Sequence, residues 1–125
     1  MAAYVLLVAA IVFAPSASVP TSSVEWITLR LAALGAPGFV TTSTVEFATN
    51  VLLFLPLGLL GWFLRPTWTW FAWTVIGFAA SGFIELTQLL FLSARSATMV
   101  DVGANTLGAF LGALAAVALK HLLRR

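Results

Sequence analysis

A chain of 125 residues that is 62% hydrophobic and 8% charged cannot hide its apolar surface in a soluble core, because an ordinary soluble domain carries about 25% charged residues. Lipid is the solvent this composition requires, as the mean hydropathy of +1.08 also indicates. The absence of cysteine excludes disulfides, thiolate metal sites and a cysteine nucleophile. The net charge of +2 comes largely from the tail Lys120-His121-Leu122-Leu123-Arg124-Arg125. That tail suits an anionic membrane surface, and with so few other basic residues nucleic acid is not an expected partner.

In chain order, residues 2–14 are apolar without a break. At 1.5 Å per residue they reach about 20 Å, short of a hydrocarbon core of roughly 30 Å. Ser16-Ala17-Ser18 resembles a signal-peptide cleavage site, but no basic region precedes the apolar run. A first transmembrane helix, with its start truncated, is the preferred reading. Pro15 to Pro20 reads as a turn-rich break. Residues 24–34 are amphipathic, with Glu25 and Arg30 set against Trp26, Ile27, Leu31 and Leu34, and predict a short helix lying in the membrane interface. Gly35-Ala36-Pro37-Gly38 ends it, and Thr41-Thr42-Ser43-Thr44 offers caps for the next helix. Three further spans follow, over about residues 45–64, 68–92 and 99–119, each long enough to cross. Arg65-Pro66-Thr67 connects the first two of these, Trp68, Trp70 and Trp73 form an aromatic belt, and the segment with Arg95 connects the last two. The expected architecture is therefore all-α. It is a single integral membrane domain over residues 1–125, a bundle of about four transmembrane helices plus a short interfacial helix.

Orientation follows from the basic residues. With the C-terminus cytoplasmic, Arg65, Lys120, Arg124 and Arg125 are inside and Arg30 and Arg95 outside, four against two, in the direction of the positive-inside rule. The expected location is the plasma membrane, crossed several times. Glu46, Asn50, Glu85, Gln88, Arg95, Asp101 and Asn105 then all lie near the outer face. Glu46 and Asn50 are spaced i, i+4. Ser81, Glu85 and Gln88 follow i, i+4, i+7, and Asp101 and Asn105 continue along one face with Gly108 and Gly112. Polar side chains in spans face the bundle interior or a cavity, so three stripes predict a polar pocket open to the outside. Gly108-x-x-x-Gly112 is a packing motif, with Gly77 and Ser81 on the third span as its expected complement. Pro56 and Gly58 predict a loosened, kinked second span.

Three ordered segments carry a resemblance. Asn50-Val51-Leu52-Leu53-Phe54-Leu55-Pro56-Leu57-Gly58 is similar to the N-x-x-L-F-x-P-x-G segment of VanZ-like membrane proteins. Ser81-Gly82-Phe83-Ile84-Glu85-Leu86-Thr87-Gln88 resembles their S-x-x-x-E-x-x-Q segment. Arg95 with Asp101-Val102-Gly103-Ala104-Asn105-Thr106-Leu107-Gly108 resembles their R…D-x-x-x-N-x-x-G segment. The resemblance covers about residues 45–119. It implies a small membrane protein whose recurring polar positions are Asn50, Glu85, Gln88, Arg95, Asp101 and Asn105, with Glu46 less securely included. The family's name member is linked to resistance to teicoplanin, a lipid-tailed glycopeptide antibiotic that acts outside the cell; no agreed enzymatic activity follows for the family.

Each polar residue also has a plain structural reading. Asn50, Gln88 and Asn105 can bond between helices for about 0.6 kcal/mol each. Arg95 and Asp101 can pair as a weak loop staple, and Asp101 is the acid a helix N-terminus favours. Glu85, about a third of the way into the membrane, needs a partner, a proton or a cation. Of the functional readings, a binding site for a lipid-linked envelope ligand or an acylated antibiotic needs no missing catalytic group and no cofactor. Its headgroup would be held by Arg95. The alternative is a membrane hydrolase or transferase on a lipid phosphate, using Glu85 and Asp101, with or without a divalent cation. A proton path through Glu85 and Glu46 lacks polar residues in the inner half and needs an oligomer to complete it.

Overall fold

The computed structural model of the chain describes residues 1–13, 18–91 and 98–123. These form five helices: α1 (Ala2–Val12), α2 (Ser18–Ala33), α3 (Thr42–Leu64), α4 (Trp70–Phe91) and α5 (Met99–Leu123). No strand occurs among the described residues.

Among the described residues three helices, α3, α4 and α5, are long and apolar enough to cross a membrane. The leading apolar run forms the 11 residues of α1, about 16 Å at the α-helical rise. Tyr4 donates its hydroxyl to the Leu53 carbonyl at 2.8 Å, and Leu53 is midway along α3. From there α1 runs to the end of the bundle at which α3 begins. Its Val8, Val12 and Phe13 pack with Phe54 and Ile84. The amphipathic helix is longer than expected. α2 starts at Ser18 and takes in Pro20, which a first helical turn tolerates because its amides have no intrahelical acceptor. Trp26 stays exposed, with the Arg30 guanidinium 5.1 Å from its ring centre one turn on.

The caps are local chemistry. Thr41, in extended conformation, starts α3 and accepts the Thr44 amide on its hydroxyl at 3.4 Å. Thr69 accepts the Ala72 amide at 3.2 Å at the start of α4. α3 continues through Pro56. Proline has no amide for the Leu52 carbonyl, and the Tyr4 bond falls on the neighbouring carbonyl in the same turn.

α3 and α5 run parallel and share the largest interface in the molecule, with α4 returning between their ends. Glycine makes this approach possible. A Cβ on Gly108 would run into the Val51 carbonyl, one on Gly112 into the Leu55 carbonyl, and one on Gly58 into the Ala109 carbonyl. Ala104, Ala109, Ala113 and Ala116 are fully buried along the same seam. The partner of Gly108-x-x-x-Gly112 is thus α3, not α4. Gly58 is a contact point rather than a loosened joint. α4 contributes Gly77, against the Ala109 methyl. Between helices in lipid, close van der Waals packing replaces the hydrophobic drive that water would supply. Trp73 departs from the aromatic belt: Trp68 and Trp70 are exposed, but Trp73 is buried against Gly61 and Ala113.

Candidate functional site

At the end of the bundle where α3 and α5 begin and α4 finishes, four side chains tie three helices together. Thr98 precedes α5 and caps it: its hydroxyl accepts the Asp101 amide at 3.2 Å and donates to Asp101 Oδ2. In a capping box the acid three residues on reaches back to the amide of the cap. Here Glu85 of α4 does that instead, accepting the Thr98 amide on Oε2 at 2.7 Å. Asp101 is thereby left to bridge, and its Oδ1 accepts the Asn50 carboxamide of α3 at 2.7 Å. Both carboxylates lie at the N-terminus of α5, where the helix dipole favours negative charge. Asn50, Glu85 and Asp101 are each half-buried, so the cluster is reachable from outside while its hydrogen bonds fix its shape.

One turn deeper, Asn105 donates its amide nitrogen to the Ser81 hydroxyl at 2.9 Å. Both residues are buried, and Asn105 Oδ1 has no hydrogen-bond partner among the described residues. Below this pair the glycine seam begins. Glu46 stands one turn before Asn50 and is exposed, at the mouth of the cluster rather than within it. Gln88 has turned elsewhere. It is buried and donates to the Val12 carbonyl at 2.9 Å, satisfying one of the carbonyls left over at the end of α1. Its position on the α4 stripe was legible, but its partner 76 residues away was not. Arg95 lies outside the described residues.

Thus Asn50, Glu85 and Asp101 come together, Asn105 lies directly beneath them, Glu46 stands above, and Gln88 holds α1. The residue that reading by stripes missed is Thr98. Its signal was the spacing Thr98-Met99-Val100-Asp101, a hydroxyl three residues before an acid at the start of an apolar run. Chemically the cluster offers carboxylate and carboxamide oxygens, acceptors suited to hydroxyl, amide or ammonium groups. No group of three or more acidic or imidazole side chains gathers among the described residues to hold a metal ion.

Comparison with known proteins agrees with the three motifs and extends them. The profile of the VanZ/LLP1 family matches residues 1–121, so the match includes α1 and α2 as well as the three motif-bearing helices. Neither the comparison with curated proteins nor that with solved structures returned a match. On the strength of a profile that spans nearly the whole chain, over helices suited to a bilayer, the protein belongs to the VanZ-like family of membrane proteins.

Proposed function

We propose that the protein binds a lipid-linked cell-envelope ligand, or an acylated antibiotic of the teicoplanin type, at the polar end of its bundle. The bundle crosses the plasma membrane with that end outward and the C-terminus in the cytoplasm. The observation that carries this reading is the tie between Glu85, Thr98, Asp101 and Asn50. It is a rigid, half-exposed set of acceptors at the end of three membrane-length helices, flanked by lipid on every side. A ligand with an apolar tail reaches such a place by diffusing in the outer leaflet. Its sugar hydroxyls or amides meet the carboxylates and Asn50, and Arg95 from the α4–α5 connection pairs with phosphate or carboxylate. Glu46 at the mouth widens the acceptor surface. The distribution of basic residues supports the orientation. The teicoplanin link rests on family analogy. The hydrolase or transferase reading has less support, since both oxygens of Asp101 are already engaged by Thr98 and Asn50.

Two measurements test this. In the cysteine-free chain, Ser96→Cys should react with a membrane-impermeant maleimide on intact cells and Thr67→Cys should not; the opposite pattern removes the outer-face reading. In lipid nanodiscs the protein should bind teicoplanin or an isoprenoid-phosphate-linked sugar, and Asp101→Ala should lose that binding while its amount in the membrane stays near normal. Absence of binding to both probes would overturn the ligand class.

A further inference from the structure

The opposite end of the bundle carries chemistry that the polar cluster does not use. There α3 finishes with Trp62 and Arg65, α4 opens with Trp70 and Trp73, and α5 leaves with Lys120 and His121. The Lys120 ammonium sits 4.9 Å from the centre of the Trp62 ring. Trp62 and Trp73 are each only 7% exposed and share a small core with Ala113 and Ala116. The exposed Trp68 ring lies 5.4 Å from Trp73, tilted by 35°. Within this packing the Trp73 Nε1 donor is buried and has no partner among the described residues.

The charges on the three spanning helices do not balance at this end. The chain has four acidic residues, Glu25, Glu46, Glu85 and Asp101. Glu46, Glu85 and Asp101 sit at the far end of α3, α4 and α5, and Glu25 lies on α2. Arg65 and Lys120 therefore find no carboxylate from these three helices at their own end. The Trp62 face engages one side of the Lys120 ammonium, whose three donors leave capacity for an anion.

We infer that this end of the bundle binds the phosphate headgroup of an anionic phospholipid, with Lys120 and Arg65 as its charge partners and the Trp62 ring as the platform that holds Lys120. The tryptophans are fixed by α3–α4–α5 packing, so the site is preformed. The basic residues that follow Lys120 in sequence, Arg124 and Arg125, add long-range attraction to the same leaflet.

The test uses the full chain in nanodiscs of phosphatidylcholine with a minor fraction of phosphatidylglycerol, released for native mass spectrometry. The wild type should retain phosphatidylglycerol in preference to phosphatidylcholine. Lys120→Gln should lower that preference several-fold with the thermal midpoint little changed, and Lys120→Arg should keep it. Arg30→Gln, which removes one positive charge outside the three spanning helices, should leave it unchanged. Equal retention of the two lipids by the wild type, or an equal loss in Arg30→Gln, would overturn the site in favour of simple net charge. Displacement of the retained lipid by millimolar inorganic phosphate would reassign it to a free anion.

Discussion

The seam between α3 and α5 and the polar end above it hold the same two helices together by opposite means. In the seam nothing protrudes: Gly58, Gly108 and Gly112 bring backbone against backbone, and the fully buried alanines fill what remains. At the polar end the contact is made wholly by side chains that reach, Asn50 to Asp101, Thr98 to Asp101 and Glu85 to the Thr98 amide. The seam tolerates no added atom, because its neighbours are main chain and cannot give way. The polar end is half-exposed and its bonds are individually modest. It can be altered without disturbing the part that keeps the helices together. Close backbone packing and polar side-chain contact are thus separated along the length of one helix pair.

This contrast can be broken most severely in the seam. Gly112→Leu should cost about 3 kcal/mol or more, as overpacking against backbone does, and should show as loss of monodisperse protein in detergent. An unchanged melting temperature would mean that the close approach does not exist. Gly108→Leu should behave alike. At the polar end the effect is smaller: Asp101→Ala should cost about 1 kcal/mol, since hydrogen bonds between membrane helices average about 0.6 and reach about 1.7 kcal/mol. A cycle with Asn50→Ala should show coupling of similar size if the bond between them is the one being removed. Smaller again, Gln88→Ala should free the end of α1 from the Val12 carbonyl. Hydrogen exchange should rise across α1 while α3 and α5 stay protected, and unchanged protection in α1 would mean that the bond does not hold it. The smallest effect sharpens the comparison by its sign. Gly82 and Gly103 have nothing near where a Cβ would stand. Gly103→Ala and Gly82→Ala should therefore be neutral or stabilising by up to about 1 kcal/mol through helix propensity, opposite to the seam glycines.

Much of this was legible beforehand because it is local or periodic. The span positions, the threonine cap of α3, the shared faces of the polar residues and the close-packing role of Gly108 and Gly112 all follow from spacing. The partners do not. A glycine records that something comes near, not what, so the choice of α3 over α4 for Gly108-x-x-x-Gly112 depended on the tertiary fold. Gly58 was misread for the same reason: with Pro56 two residues before it, a local explanation for its presence was at hand, whereas its cause is Ala109 of α5. Gln88 shared a stripe with Glu85, yet a stripe covers a wide arc of helix surface, and α1 occupied part of it. Trp73 matched the spacing of an interfacial belt, but Gly61 opened a place for its ring in the core. The leading apolar run was legible as a helix and as too short for the hydrocarbon core; the described part of it, α1, is half as long as α3.

The parallel pairing of α3 with α5 also constrains how the molecule can be made. A ribosome delivers α3, then α4, and only afterwards the helix that fits both. Until α5 arrives, Gly58 has no surface to meet, Asn50 lacks the carboxylate that takes its amide, Ser81 lacks Asn105, and Glu85 has no α5 N-terminus to cap. An α3–α4 hairpin released early into the bilayer would carry Asn50 and Ser81 without the partners that α5 supplies. The polar contacts that join α3 and α4 to α5 thus form last, with the helix that completes the bundle.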